Sequence, residues 1–251
     1  METIIKRSDT LIKGVPTTFC PGCGHGIITN LYCTVIDELG LKENTISVSS
    51  VGCGGMNSGF IDTDITATLH GRAPANATGI KRMRPDKFVY TYQGDGDLAA
   101  IGTAETVHSA GRRENITVIF VNNAIYGMTG GQMAPTTLPG QVTQTSPYGR
   151  DVTKVGYPIK VCELLSNVDG AAYLERVAVN NVQNIKKAKK AIKKAFQNQI
   201  EGKGFSLIEV VSTCPTNWGM APDKALNWLE ENMLPYYPLG VYKDITAEEE
   251  K

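Results

Sequence analysis

The stretch from Phe88 to Asn123 constrains the fold of this chain more than any other. A strand-like run, Phe88 to Tyr92, leads into Gly94-Asp95-Gly96-Asp97. A helical pattern follows, Leu98 to Ala110, ended by Gly111, and then Ile116 to Val121 gives six apolar or β-branched residues in succession. An unbroken run of that kind is the pattern of a parallel strand buried on both faces. Strand, helix, strand is a βαβ unit, whose crossover is expected to be right-handed. The unit predicts an α/β fold: a mostly parallel central sheet with helices on both faces. It also puts Asp95 and Asn123, 28 residues apart, at the carboxyl ends of two parallel strands. That edge is where open α/β sheets bind ligands.

The residue types at that edge define a chemistry. Gly94 and Gly96 let the backbone approach a bulky anion with N–H groups free to donate. Asp95 offers one hard anionic oxygen and Asn123 a neutral one. Magnesium takes few protein oxygens and fills its octahedral shell with phosphate oxygens. A carboxylate, an amide oxygen, a nearby backbone carbonyl and a diphosphate make such a shell.

Composition narrows the classes. The 251 residues, 41% hydrophobic and 20% charged, suffice for one sizeable α/β domain. The zero formal net charge gives nothing to attract nucleic acid or an anionic membrane. No run of 18 apolar residues occurs and residues 1–19 lack a signal-peptide core, so a cytoplasmic protein is expected. We read 1–251 as one domain, with 1–16 an irregular arm lying across a neighbouring surface and 245–251 a solvated tail. Six cysteines in such a chain point to metal or catalytic use over disulfides.

Four of those cysteines fall in loops. Cys20 and Cys23 form a C-x-x-C in Phe19-Cys20-Pro21-Gly22-Cys23-Gly24-His25. Cys53 follows the strand Thr45 to Ser49 in a glycine-rich turn that points to the same edge as Asp95. Cys214 follows the strand Phe205 to Val211 and precedes Pro215. Four thiolates converging from loops hold either zinc or a [4Fe–4S] cluster, and the spacing does not choose between them. Cys33, inside the helix Gly26 to Leu39, and Cys162, in the apolar run Ile159 to Leu165, read as buried structural thiols. Thr68 to Ala73 opens the helical pattern Ala75 to Met83; Arg72 there reads equally as a phosphate ligand or a carboxylate partner. His25 and His108 read as structural. The loop Ala124 to Asp151, rich in Gly, Pro and Thr, is long enough to be functional. A strand, Tyr173 to Val179, precedes the helix Val182 to Gln199, whose six lysines (Lys186, Lys187, Lys189, Lys190, Lys193, Lys194) read as a solvated face rather than a dock for an acidic ferredoxin.

The G-D-G and N-N pair resembles the diphosphate-binding motif of thiamine-diphosphate enzymes. The longer string YQGDGDLAAIGTAE … ITVIFVNNAIYGMTGGQ, with FCPGCGH, SVGCGG and CPTNWGM, resembles the β subunit of 2-oxoacid:ferredoxin oxidoreductases from about Thr17 to Asp244. The resemblance implies the thiamine-diphosphate-binding fold and a [4Fe–4S] cluster on Cys20, Cys23, Cys53 and Cys214. It implies Mg2+ on Asp95, Asn123 and the Ile125 carbonyl. Val51, Gly52, Cys53, Gly54, Gly94, Gly96, Asp97, Gly127, Met128 and Thr129 become cofactor contacts. His70 becomes a contact to diphosphate or substrate, and the one catalytic side chain expected of this chain.

The activity so implied is CoA-dependent oxidative decarboxylation of a 2-oxoacid with ferredoxin as acceptor. Pyruvate-specific relatives carry Ser-Asn where this chain has Gly127-Met128. The segment from Asn217 to Asp244 most resembles the 2-oxoglutarate and branched-chain group, so 2-oxoglutarate is favoured and 2-oxoisovalerate comes next. The glutamate that activates the cofactor comes from an α subunit in this family, so the active site is expected between two chains, with γ and δ subunits completing the larger assemblies. Two rivals stand beside this reading: half of a non-redox thiamine-diphosphate decarboxylase with a structural zinc, and a non-catalytic Fe–S electron-transfer subunit.

Overall fold

The structure is a computed structural model and describes residues 7–245. The first six residues of the expected arm and residues 246–251 of the expected tail lie outside the described residues. The strands are β1 (Thr45–Ser49), β2 (Asp64–Ala67), β3 (Phe88–Gly94), β4 (Thr117–Asn122), β5 (Ala171–Ala178), β6 (Phe205–Val211) and β7 (Gly240–Asp244). The helices are α1 (His25–Glu38), α2 (Ala73–Met83), α3 (Thr103–Gly111), α4 (Val152–Val155), α5 (Val161–Ser166), α6 (Val182–Ile200), α7 (Pro215–Trp218), α8 (Pro222–Trp228) and α9 (Leu234–Tyr236). Together the strands make one seven-stranded sheet in the order β2-β1-β3-β4-β6-β5-β7. All neighbours run parallel except β7, which pairs antiparallel with β5. The βαβ unit is present: Tyr90 is opposite Thr117 and Gly94 opposite Val121.

Alternation along the strands feeds two cores. Tyr90, Tyr92, Ile119, Val121, Ile208 and Val210 face α1 and α6. Val89, Val118, Phe120 and Leu207 face the opposite layer of α2, α3 and α5. This is why β4 is apolar from Val118 to Val121 and β6 is buried along its whole length, its Ser206 and Glu209 included. Cys33 and Cys162 are buried, one in each core. In the described part of the arm, Ser8 and Thr10 donate their hydroxyls to Asp37 of α1, each at 2.5 Å, and Leu11 bridges to Ile61. On α6, Lys189 and Lys193 pair with Glu38, and Lys194 with Asp244, so half of the lysine face serves the chain's own packing.

The expected helix Leu98 to Ala110 divides. A π-helical turn, Gly96–Ile101, precedes Gly102, and only then does α3 begin. Such turns concentrate at functional sites. Edge strands β2 and β7 and the helices after Cys214 had no clear period in the sequence: β2 is partly exposed on both faces, and α7 to α9 are short and broken by prolines.

One buried cation fastens the sheet from below the site. Arg176 of β5 is fully buried, lies 3.0 Å from the equally buried Glu209 of β6, and grips Glu163 of α5 through both terminal nitrogens, at 2.9 and 2.5 Å. It also donates to the Pro238 carbonyl ahead of β7, at 3.2 Å. Arg176→Leu leaves a carboxylate uncompensated between two strands and is expected to cost about 3–5 kcal/mol. Urea unfolding checks this, and the double change Arg176→Leu with Glu209→Leu is expected to recover most of the loss.

Candidate cofactor and metal site

Asp95 leaves the end of β3 and turns inward. Its Oδ1 accepts from the Gly96 N–H at 2.9 Å, and its Oδ2 accepts from the Ile125 N–H at 3.1 Å and the Thr136 hydroxyl at 2.7 Å. Among the described residues no cationic side chain forms an ion pair with it. Burial pushes its carboxyl up to about 6, against the hydrogen bonds from Thr136, Gly96 and Ile125 that hold it down. A buried anion of this kind calls for a cation.

The turn after β4 supplies the remaining oxygens. Ala124 takes a left-handed backbone, φ 57°, a conformation that costs a non-glycine residue about 1–3 kcal/mol. It is fixed by the Asn122 side chain accepting from the Ala124 N–H at 3.2 Å and by Thr137 donating to the Ala124 carbonyl at 2.7 Å. As a result the Asn123 carboxamide points at Asp95. Its inner atom stands 3.3 Å from Asp95 Oδ2 and 2.8 Å from the Ile125 carbonyl oxygen. Without a cation, the amide nitrogen takes that place and donates to both. A half-turn of the amide puts its oxygen there and leaves three oxygens facing one another. Adjacent ligands of octahedral magnesium, at 2.0–2.1 Å from the ion, lie about 2.9 Å apart, so the spacing fits that ion. Trp218 donates its indole N–H to the Asn123 carbonyl at 3.1 Å and steadies the turn from the far side.

Around these atoms lies a cleft of about 100 Å³ lined by Val51, Gly52, Cys53, Gly54, His70, Gly94, Asp95, Gly96, Asp97, Asn123, Ile125, Tyr126, Gly127, Met128 and Thr129, with His25 at its back. Every residue that the sequence put at a cofactor or magnesium site therefore lines one cleft. Two larger clefts, of about 390 and 580 Å³, lie elsewhere; the smaller one is where the carboxylate, the two strand ends and the glycine turn meet. Within it Asp97 faces the protein. Its carboxylate accepts from the N–H groups of Val51 at 3.2 Å and Gly71 at 2.9 Å, and from the Gln93 amide at 2.5 Å. It ties the cysteine turn and the 68–72 loop to the glycine turn. His70 Nε2 lies 3.2 Å from the Gly96 carbonyl; as a donor there, it leaves Nδ1 facing outward as an acceptor. Arg72 pairs with Glu105 and donates to the Ile101 carbonyl at 3.2 Å, which settles it as a carboxylate partner.

Cys20, Cys23, Cys53 and Cys214 share one neighbourhood beside this cleft. Burial, above all, pushes the Cys23 thiol up to about 12, and Cys214, Cys53 and Cys20 raise it further by charge repulsion. Cys53 rises to about 11 in the same way. Gly127 passes between this group and the cleft: a Cβ there would stand 3.3 Å from the Cys53 sulfur and 3.6 Å from that of Cys214. Among the described residues, no three of His, Cys, Asp and Glu close on a point as one ion requires.

The sequence did not single out several residues that hold this architecture. Thr136 reaches Asp95 from 41 positions away, and nothing local marks it. Asn217 and Trp218 contact Gly127 and Asn123; their place directly after the Cys214 turn was the available signal. His25, read as structural, is buried at the back of the cleft, 2.6 Å from the Tyr92 hydroxyl, and burial pushes it down to about 4, so it stays neutral.

A family model described as "thiamine pyrophosphate enzyme, C-terminal TPP binding domain" matches residues 50–210. The chain belongs to the thiamine pyrophosphate enzymes. Within them it falls among the 2-oxoacid:ferredoxin oxidoreductase subunits. The ketoisovalerate oxidoreductase subunit VorA of Methanothermobacter thermautotrophicus is 47% identical over 93% of this chain and 49% of its own length. The 2-oxoglutarate synthase subunit KorB of Methanocaldococcus jannaschii is 41% identical over 94% of this chain and 84% of its own. The chain thus spans about half the length of the VorA relatives it matches. Among solved structures, 2-oxoglutarate:ferredoxin oxidoreductase from Magnetococcus marinus, with 2-oxoglutarate, coenzyme A and succinyl-CoA bound, superposes with a TM-score of 0.77 at 28% identity over 96% of this chain and 88% of that one. The mostly parallel sheet is the architecture expected of this family.

The 68–72 loop reaches this cleft because two glycines touch. A Cβ on Gly102 would stand 2.6 Å from the Asp97 carbonyl and 2.7 Å from the Gly71 carbonyl. Gly102→Ala is expected to lift the loop from the glycine turn at a cost of about 1–3 kcal/mol. Denaturant titration and faster amide exchange at Gly71 check it.

Proposed function

We propose that this chain is the thiamine-diphosphate-binding β subunit of a 2-oxoacid:ferredoxin oxidoreductase, and that it holds the diphosphate through Mg2+ on Asp95, Asn123 and the Ile125 carbonyl. The observation that carries this is the buried Asp95, which no cationic side chain pairs among the described residues, with the Asn123 carboxamide 3.3 Å from it and 2.8 Å from the Ile125 carbonyl oxygen. Gly94 and Gly96 give the diphosphate its close approach; a Cβ on Gly96 would strike the Tyr126 ring at 2.0 Å. Cys20, Cys23, Cys53 and Cys214 hold a [4Fe–4S] cluster. The nearness of the four thiols, the other three each raising the Cys23 thiol by charge repulsion, supports one shared centre, and the family resemblance favours a cluster over zinc there. When bound, thiamine diphosphate supplies the electron sink for loss of CO2 from a 2-oxoacid, and the cluster accepts electrons one at a time.

The chain's own residues then have defined tasks. Asp95 carries the one negative charge of the metal shell. His70, held on the Gly96 carbonyl, offers Nδ1 toward diphosphate or substrate. Val51, Gly127, Met128 and Thr129 close the wall against water. No glutamate lines the cleft, which supports an active site completed by an α subunit. Val51, Leu69 and Met128, 41%, 79% and 51% exposed, form an apolar rim suited to that partner. Coenzyme A as acyl acceptor, ferredoxin as electron acceptor, γ and δ subunits and a cytoplasmic location belong to the same reading; among the described residues no helix is long and apolar enough to cross a membrane. For the substrate, 2-oxoglutarate is favoured, in line with the name of the KorB relatives, and 2-oxoisovalerate comes next, in line with the name of the VorA relatives.

Asp95→Ala is expected to abolish binding of thiamine diphosphate and Mg2+ by titration calorimetry of the assembled complex, with the fold retained; unchanged affinity rejects the metal assignment. Serine at Cys20, Cys23, Cys53 or Cys214 is expected to lower iron content and visible absorption, while serine at Cys33 or Cys162 leaves both intact. Release of carboxyl-labelled CO2 from a panel of 2-oxoacids, by this chain alone and with its α partner, tests the shared site: substantial release by the isolated chain defeats it.

A further inference from the structure

Asn217 stands between the two proposed cofactor sites and touches both. Its side-chain nitrogen donates to the Cys214 sulfur at 3.3 Å and to the Gly127 carbonyl at 2.8 Å. A carboxamide nitrogen has two hydrogens, and these two bonds use both. Gly131, with φ +95°, lies against the same amide: a Cβ there would be 3.2 Å from Asn217 Oδ1. The chain between Gly127 and Gly131 therefore wraps the amide and fixes its rotamer. Asn217 is partly buried, so its bonds lie where water competes little with them.

We propose that Asn217 is a positioning residue that sets the reduction potential of the centre held by Cys214 and, through the same nitrogen, seats Gly127 against the diphosphate cleft. This rests on the reading of the four cysteines as [4Fe–4S] ligands. Hydrogen bonds to the sulfurs are one of the levers a protein has on cluster potential. An N–H donated to a thiolate disperses negative charge, so it stabilises the reduced form, which carries one electron more. The second bond fixes the Gly127 carbonyl, and Gly127 is the residue whose Cα faces the Cys53 and Cys214 sulfurs on one side and the cleft on the other. Removing the amide thus acts on both cofactors from one atom. A purely structural asparagine at a helix turn moves neither quantity.

The test uses the assembled complex with Asn217→Leu, which deletes both donors at similar size, and Asn217→Asp, which puts an acceptor where the donor stood. Thr216→Ala, exposed one residue earlier, is the control. Midpoint potentials come from redox titration followed by electron paramagnetic resonance, with iron and sulfide content measured alongside. Both Asn217 variants are expected to keep their iron and to titrate at more negative potential than the unaltered complex, Asp further than Leu, and to bind thiamine diphosphate several-fold more weakly. Thr216→Ala is expected to match the unaltered complex. A full iron complement with an unmoved potential overturns the proposal. Loss of iron in both variants also overturns it, since Asn217 then supports the loop and does not tune the centre. An unaltered complex that lacks iron and sulfide defeats the cluster reading itself, an outcome distinct from these.

Discussion

The structure is organised around a carboxylate held where a carboxylate is costly. Asp95 sits at the mouth of a parallel sheet, enclosed by the end of β3, the 123–125 turn and the loop that carries Thr136. Removing a charge from water costs several kcal/mol even after the surroundings relax, and here three hydrogen bonds offset only part of that cost, since the acid is still pushed up to about 6. Every neighbouring irregularity serves the same arrangement: the left-handed Ala124, the π-helical turn from Gly96 to Ile101, and the contact of Gly71 with Gly102. Each costs some stability, and each brings a donor, a carbonyl or a wall residue to within reach of one point.

That arrangement needs a rigid floor, and the floor is polar. Asn122, next to the proposed metal ligand, donates to Glu209 at 2.8 Å; Glu209 faces Arg176, and Arg176 holds Glu163 and the segment before β7. From the other side Tyr237 donates to the Thr136 carbonyl at 2.6 Å, and Thr136 donates to Asp95. The C-terminal helices, which lack any evident pattern in the sequence, thereby reach Asp95 in two steps. Such buried polar networks resist sliding of one strand on its neighbour because each partner lost leaves an unpaired group behind.

Much of this was legible in the sequence, for identifiable reasons. Strands β1, β4 and β6 are rich in β-branched and apolar residues and are followed by glycine, asparagine or cysteine, so their extent and the edge they present can be read locally. Gly94, Asp95, Gly96, Asn123 and Cys53 were found because each stands at or after a strand end, and the other cleft residues came from the family resemblance. What escaped was carried by long-range partners. Thr136 is an unremarkable threonine until Asp95 is beside it. Asp97 has the residue type of a ligand contact, yet three N–H donors from other segments turn it into a brace. Edge strand β2, partly exposed on both faces, shows no alternation to read. The break at Gly102 is set by the close passage of Gly71, 31 residues earlier.

The 124–151 loop keeps its shape by a different device. Arg150 donates to the carbonyls of Gly156, Ala134, Pro135 and Thr137, and its own backbone closes a ring with Gly140 and Gln141. Its partners are all main-chain atoms, which any residue supplies. The loop's path is therefore written largely in one guanidinium and is indifferent to many of the side chains along it. Drift in sequence between Gln141 and Gly149, or a lengthened bight there, costs only the slow logarithmic entropy of a larger closed ring. Lysine at 150, with a single ammonium in place of a planar fork, cannot hold that many carbonyls at once. A change of length in this segment therefore leaves Thr136, and hence Asp95, where they are so long as Arg150 keeps its carbonyl partners.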